Sequence, residues 1–258
     1  MKILFLVILF INFNNTFAQE IDYGFQNFES YTFKAPLKNN STNYKKVKHF
    51  VFPVTCVGYG ILALNNHSLQ SLNNNLKRNI KPGTPYYSTT IDNYFQYLPA
   101  FTVYGLNASG LKGRNSFKDR TFIFGMASIF TCALISPLKT ISNIERPDHS
   151  ANNSFPSGHT ATAFAGAEFL RQEYKDVSKL YGIGGYIIAT TTGLLRMYNN
   201  RHWLSDIIAG AGIGILSTKI AYLIYPFIQK TLFKSVAPAT NVLSAEDINN
   251  IHVAYFAN

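Results

Sequence analysis

Six apolar stretches recur along the chain, and they constrain its fold more than any other feature. They cover residues 50–64, 97–106, 121–138, 160–170, 182–195 and 207–227. They are too long for ordinary strands and rich in Ala, Leu, Met and Gly, so the pattern predicts helices. Because 47% of all residues are hydrophobic, the chain can bury a sizeable core, which excludes intrinsic disorder. The sequence therefore predicts an all-α bundle of about six helices.

The length of these stretches bears on whether the bundle lies in a membrane. A helix needs about 20 apolar residues to cross a bilayer. Residues 121–138 and 207–227 are long enough, although Lys219 interrupts the second stretch and Glu168 interrupts a shorter one. Charged residues make up 14% of the chain, against roughly 25% in soluble domains. These features favour a membrane-associated bundle, with a soluble bundle of unusually apolar core as the alternative.

The N-terminus has the pattern of a targeting segment. Lys2 precedes an apolar run over residues 3–11, and Thr16-Phe17-Ala18 resembles a cleavage site. We therefore assign residues 1–18 to a signal peptide or an uncleaved anchor. Three further regions are predicted after it: a polar arm at 19–48, a main domain at 49–234 with its core at 95–227, and a C-terminal tail at 235–258.

Charge, cysteine and glycine placement narrow the function classes. The net charge is +10, but no run of five or six basic residues occurs, which argues against nucleic acid as a partner and leaves an anionic substrate or a membrane surface. The two cysteines, Cys56 and Cys132, exclude a disulfide scaffold and are predicted to be buried free thiols. Glycines 210, 212 and 214 lie within the last predicted helix, where they favour close helix packing over nucleotide binding.

Three short segments carry the residues suited to catalysis. The first runs from Lys139 to Arg146, the second is Pro156-Ser157-Gly158-His159, and the third holds Arg196, His202 and Asp206. Each segment adjoins the end of a predicted helix. If successive helices alternate in direction, all these ends meet at one end of the bundle.

Phosphoryl transfer is the chemistry that this combination favours. Lys139, Arg146 and Arg196 can neutralise the oxygens of a phosphoryl group, and the backbone N–H groups of Ser157 and Gly158 can bind an anion at a helix N-terminus.

The histidines and the nearby carboxylate complete the expected reaction. His202 and Asp206 are four residues apart, so they can share a helix face, and a carboxylate on one ring nitrogen makes the other more nucleophilic. His159 can protonate the leaving oxygen. Because Glu145 and Asp148 alone make a poor metal site, the sequence predicts no metal and no cofactor, and a reaction through a phosphohistidine.

These segments resemble the type 2 phosphatidic acid phosphatase (PAP2) superfamily, which also includes bacterial class A acid phosphatases and vanadium haloperoxidases. The shared pattern is Lys, six residues, Arg-Pro; then Pro-Ser-Gly-His; then Ser-Arg, five residues, His, three residues, Asp. This chain departs from it at Leu195, where the family usually has the Ser that bonds a phosphate oxygen. The resemblance implies a PAP2-type helical bundle.

The resemblance also implies a role for each matching residue. His202 would be the nucleophile, His159 the general acid and later the base for water, and Asp206 the residue that orients His202. The phosphate would be held by five residues: Lys139, Arg146, Ser157, Gly158 and Arg196.

Basic residues at the opposite end predict the orientation. Residues 109–120 carry Lys112, Arg114, Lys118 and Arg120, and residues 171–179 carry Arg171, Lys175 and Lys179. The positive-inside tendency then places the three segments on the extracytoplasmic side. The predicted location is the bacterial inner membrane with the site facing the periplasm, or the periplasm itself. This orientation requires that stretches 50–64 and 97–106 do not both cross the membrane.

The substrate class follows from the location. A membrane protein would hydrolyse phosphomonoester or pyrophosphate groups of lipids, which is the favoured expectation. The alternatives are a soluble periplasmic acid phosphatase of broad specificity, a vanadate-dependent haloperoxidase and a non-enzymatic lipid-binding bundle. Specificity is expected in the loops at 65–95 and 140–155, and the sequence predicts no oligomeric state.

Overall fold

The computed structural model describes residues 41–80 and 88–232. These residues form eight helices and no strand. The helices are α1 (Ser41–Ala63), α2 (His67–Ile80), α3 (Ile91–Phe95), α4 (Leu98–Ala108), α5 (Phe117–Ser142), α6 (Gly158–Tyr174), α7 (Lys179–Tyr198) and α8 (Leu204–Leu232). The chain divides into two compact units, the first ending at Tyr222 and the second beginning at Leu223. Within the second unit, the described residues continue α8 to Leu232.

The prediction of an all-α fold is confirmed, and each apolar stretch coincides with one helix, apart from Leu64 and Tyr97, which lie one residue outside α1 and α4. The described part of the chain holds two helices more than expected, because residues 65–95 contain α2 and α3 rather than a loop. Helix α1 begins at Ser41, inside the predicted polar arm. The predicted signal peptide or anchor, the rest of the arm and the tail at 235–258 lie outside the described residues.

Helix α6 is largely buried within the first unit. Its alanines at 161, 163 and 167 are fully buried, and it packs against α4, α5 and α7. Small residues let α8 approach it as well: a Cβ added at Gly210 would lie 2.5 Å from the Ser157 carbonyl oxygen, and one at Gly214 would collide with the Ala161 carbonyl. The glycines of α8 therefore serve close helix packing, as predicted.

Helix α7 shows two contrasting sides. Its glycines at 182 and 185 are buried, and a Cβ added at Gly185 would contact Ala167 of α6. Four of its large apolar side chains are exposed: Leu180, Ile183, Ile187 and Leu194.

The charges that interrupt two apolar stretches turn out to be partners. Lys219 of α8 lies 2.9 Å from Glu168 of α6, which also accepts hydrogen bonds from Arg171, Gln172 and Tyr186. Glu168 is fully buried, so these donors offset the cost of burying its charge. The interruptions are thus one internal ion-pair network.

A related finding corrects the count of basic surface residues. Arg120 is only 2% exposed and lies 3.7 Å from the buried Glu173, and Arg171 pairs with Glu168. Both are among the basic residues from which the sequence predicts the membrane orientation, but they belong to internal ion pairs. Lys112 and Arg114 remain exposed before α5, as does Lys118 in its first turn.

Two helices are long and apolar enough to cross a membrane, by length and composition. They are Phe117–Ser142, of which only a minority of residues is buried, and Leu204–Lys230, which is mostly buried. Helix α4 has 11 residues and is therefore about 16 Å long, against about 30 Å of hydrocarbon. The early stretch at 97–106 is thus too short to cross as a single helix.

Candidate active site

Four helix ends place the predicted residues at one end of the first unit, which we call the site end. Lys139 lies in the last turn of α5 rather than beyond it, and Arg196 lies in the last turn of α7. His159 is in the first turn of α6, and Asp206 is in the first turn of α8. The predicted convergence of the three segments is therefore found in the structure.

Backbone hydrogen bonds join these segments. The Ser157 N–H donates to the Asp206 carbonyl oxygen at 3.0 Å, and the Ser154 N–H donates to the Ile144 carbonyl oxygen at 2.9 Å. The Trp203 indole N–H donates to the Glu145 carbonyl oxygen at 2.9 Å. The relative positions of the three segments are thus set mainly by the main chain.

His202 and Asp206 form a buried pair just before and inside the start of α8. The His202 Nδ1 lies 3.5 Å from the Asp206 Oδ2, and both side chains are almost fully buried. The same oxygen accepts hydrogen bonds from the Ser154 hydroxyl at 2.5 Å and the Trp203 N–H at 2.9 Å. Burial lowers the pKa of His202, although Asp206 opposes this shift. The imidazole is therefore held neutral, as a nucleophile requires.

His159 faces a different environment. Its Nε2 lies 2.9 Å from the Asn93 Oδ1 of α3. Burial, with the Arg196 charge as the next cause, lowers the pKa of His159 to about 4. Without an anion nearby, this imidazole is thus a strong acid once protonated.

Arg196 is fixed by an ion pair that the sequence did not predict. Its Nη1 lies 2.5 Å from the Asp92 Oδ2, and Asp92 is 1% exposed. The other carboxylate oxygen of Asp92 accepts from the Asn199 Nδ2 at 3.2 Å. Helix α3 thereby attaches to the end of α7.

Lys139 and Arg146 supply the other cations. The Lys139 Nζ donates to the Asn153 carbonyl oxygen at 2.6 Å. Burial, followed by the charges of Arg196 and Arg201, lowers the pKa of Arg146, so these cations lie close together. The Nε atoms of Arg146 and Arg196 are buried and have no hydrogen-bond partner. Unpaired buried donors on two neighbouring guanidinium groups suit an anion.

Ser157 differs from its predicted role. Its N–H is already bonded to the Asp206 carbonyl oxygen, and its hydroxyl caps α6, lying 2.9 Å from the Thr160 Oγ1. The N–H is therefore not available to an anion, whereas the hydroxyl hydrogen can point to Thr160 or away from it. Gly158 is partly exposed at the N-terminus of α6, where the helix dipole favours negative charge.

Helix α2 covers part of the site end. Asn73 and Ser205 exchange two hydrogen bonds, at 3.0 and 3.2 Å. The Lys77 Nζ donates to the Pro147 carbonyl oxygen at 2.7 Å and lies 5.2 Å from the centre of the Trp203 ring. A cavity of about 230 Å³, lined in part by Asn73, Trp203 and Asp206, lies beneath this helix.

Several residues at the site end escaped prediction. Ser154, Asp92 and Asn93 contact catalytic candidates directly, yet the motifs do not include them, and residues 92 and 93 lie in a region predicted to be a loop. The signal for Ser154 was its place three residues before Ser157.

The prediction that both cysteines are buried is wrong: Cys132 is exposed and Cys56 only partly buried.

Within 41–80 and 88–232, no group of three or more His, Cys, Asp or Glu side chains is arranged to hold a metal ion. The site end instead holds a group of cations: Lys139, Arg146 and Arg196.

Part of this chain, including the site end, is similar to known proteins. The PAP2 superfamily profile matches residues 120–230. A lipid A 1-phosphatase from Porphyromonas gingivalis is 39% identical over 145 residues, which cover 55% of this chain and 32% of the relative. The bacitracin transport permease protein BcrC of Bacillus licheniformis is 29% identical over 91 residues, covering 35% of this chain and 43% of the relative. The chain thus spans less than half the length of either relative.

Two solved structures match parts of this chain. A transmembrane PAP2 type phosphatidylglycerolphosphate phosphatase from Bacillus subtilis matches 72% of this chain and 98% of its own, with a TM-score of 0.50 and 22% identity. Aquifex aeolicus LpxE matches 59% of this chain and 95% of its own, with a TM-score of 0.46 and 25% identity. The first likeness shows a shared fold.

Proposed function

We propose that this chain is a metal-independent phosphatase of the PAP2 type, because the PAP2 superfamily profile matches residues 120–230. It hydrolyses phosphomonoester or pyrophosphate groups of membrane lipids through a phosphohistidine on His202. One observation carries the proposal: buried, unpaired guanidinium nitrogens of Arg146 and Arg196 lie at the same site end as a buried His202–Asp206 pair. Anion donors and an oriented nucleophile are the two requirements of phosphoryl transfer.

The proposed reaction has two steps. In the first, the neutral His202 Nε2 attacks phosphorus while the bond to the leaving oxygen breaks and His159 donates its proton to that oxygen. Asp206 stabilises the positive charge that develops on the His202 ring. Lys139, Arg146 and Arg196 neutralise the phosphoryl oxygens. In the second step, water attacks phosphorus, His159 takes the water proton, and His202 leaves as a neutral imidazole.

The choice of a lipid substrate has separate support. Helices α5 and α8 are long and apolar enough to cross a membrane. The Porphyromonas gingivalis relative is a lipid A 1-phosphatase, which acts on a phosphate-bearing lipid. We place the site end on the periplasmic side of the inner membrane, supported by the exposed Lys112, Arg114 and Lys118 at the opposite end.

A soluble acid phosphatase is the alternative with specific support. Most of the apolar window of α8 is buried, as in the core helix of a soluble protein. Carbonate extraction of membranes separates the two: release of the full chain into the supernatant would favour the soluble enzyme. A panel of soluble phosphomonoesters and lipid phosphates in detergent then identifies the preferred substrate.

The mechanism is tested with His202→Ala. We expect kcat to fall on the order of 10³-fold or more, because removing a nucleophile abolishes the covalent route. His49→Ala is the matched control, since His49 is exposed on α1. Acid-labile, base-stable ³²P label on quenched wild-type protein would support the phosphohistidine. Undiminished hydrolysis by His202→Ala would remove it.

A further inference from the structure

Two consecutive residues of the short helix α3 each contact a group of the proposed site. One of these groups binds the phosphate, and the other protonates the leaving oxygen. Asp92 pairs with Arg196 of α7 at 2.5 Å, and Asn93 contacts His159 of α6 at 2.9 Å. Neither residue belongs to the three catalytic segments. Helix α3 therefore links a phosphate-binding residue to the general acid.

The attachment of α3 is strong on its Asp92 side. Asp92 and Arg196 are both buried, so their pair is little screened by solvent. Asn199, next to the end of α7, exchanges two hydrogen bonds with the backbone of Thr89, at 3.0 and 2.8 Å. These contacts fix the position of residue 93.

Asn93 determines which nitrogen of His159 can serve the substrate. An amide oxygen only accepts, so the His159 Nε2 must carry a hydrogen to bond with it. The Nδ1 is then the nitrogen left to deliver a proton to the leaving oxygen. A neutral acceptor also bonds an imidazolium more strongly than an imidazole.

The charges around His159 make such an acceptor useful. Arg196 from α7, Lys139 from α5 and His202 before α8 all disfavour a protonated ring, whereas Asp92 from α3 favours it. Asp92 is already engaged by Arg196. Asn93 is the acceptor in direct contact with the ring.

We propose that Asn93 is a positioning residue for the general acid His159, and that Asp92 holds it in place. The proposal rests on the phosphatase function proposed above. It assigns Asn93 two effects: it orients the ring with Nδ1 toward the leaving oxygen, and it stabilises the protonated form that the reaction uses.

The test compares Asn93→Ala with Asn93→Asp. Alanine removes the acceptor, so the basic limb of the kcat/KM profile should move to lower pH by roughly half a unit to one unit, and kcat should fall about tenfold with KM within about twofold. Aspartate adds a negative charge at the same place, so the limb should move to higher pH. Because the Asn93 residue is exposed, both changes leave the core intact. Asn107→Ala and Asn107→Asp, at the far end of α4, are the controls.

Shifts in opposite directions support the proposal, since a purely structural role would move the limb alike in both variants. One phosphomonoester is used throughout, so that its own ionisation cancels. An unmoved limb, or the same shift in both variants, overturns the role of Asn93. If Asn93→Ala fails to fold, Asn93→Ser replaces it as the variant that weakens the acceptor; a shift of the limb to lower pH supports the proposal, and an unmoved limb overturns it.

The proposed function can fail separately. Wild-type protein that neither hydrolyses phosphomonoesters nor binds orthovanadate would refute the phosphatase itself. Active wild type with an unmoved limb in the Asn93 variants refutes only the positioning role.

Discussion

Gly210 sits where α8 passes closest to the segment that carries the general acid. A Cβ added there would lie 2.5 Å from the Ser157 carbonyl oxygen, whereas ordinary contacts begin at 3.4 Å. In Gly210→Ala the two helices must therefore separate by about 0.9 Å. That displacement stretches the 3.0 Å bond from the Ser157 N–H to the Asp206 carbonyl oxygen.

The expected cost falls more on activity than on stability. Overpacking costs about 1–3 kcal/mol, and the better helix propensity of Ala returns about 1 kcal/mol, so the free energy of unfolding should fall by roughly 0–2 kcal/mol. A misplacement of about 1 Å between catalytic groups costs on the order of 10²-fold in rate. Asp206 and the His159 segment shift relative to each other, so kcat/KM should drop by about that factor.

Initial rates and thermal unfolding in the same detergent measure both effects. Gly125→Ala is the control, because a Cβ at that α5 position meets nothing within 4 Å. It should keep wild-type activity and gain up to about 1 kcal/mol. If Gly210→Ala behaves like this control, with full activity and higher stability, the reasoning about helix contact is wrong.

Two further predictions concern the protonation of the histidines and the hydroxyl donor to Asp206. The free enzyme needs protonated His159 and neutral His202, and burial lowers the pKa of both, that of His159 to about 4. We therefore expect kcat/KM to be highest at acid pH and to decline as rising pH removes the His159 proton; a flat profile between about pH 5 and 8 would contradict this. In Ser154→Ala, Asp206 loses a hydroxyl donor, so kcat should fall about tenfold with little change in KM. The control is Ser109→Ala at the opposite end, and an equal kcat in the two variants would refute this role of Ser154.

Residues whose role depends on local spacing could be predicted from the sequence. The four-residue spacing of His202 and Asp206 and the placement of His159 behind Pro-Ser-Gly follow from helix geometry, and both are found. Alternating helix directions were enough to bring Lys139 and Arg196 to the same end. The apolar stretches likewise predicted the helices, because buried positions recur along each helix.

Contacts between distant segments could not be predicted in this way. Asp92 and Arg196 are 104 residues apart, and nothing in the pattern around Asp92 distinguishes a buried partner from a solvent-exposed loop residue. Ser157 was assigned as an anion donor from its local position, but the Asp206 carbonyl oxygen takes its N–H. Glu168 and Lys219 looked like interruptions because each was considered without its partner.

The two sides of α7 bear on how membrane helices are recognised. The helix has 20 residues but is not among those apolar enough to cross by average composition. Its exposed Leu180, Ile183, Ile187 and Leu194 run over about 21 Å, while glycines occupy the side toward α6. The mean hydropathy of the whole helix combines this apolar stripe with small residues that face α6 and are buried in the bundle. For a tightly packed bundle, the hydropathy of the outward side alone describes how the helix meets lipid.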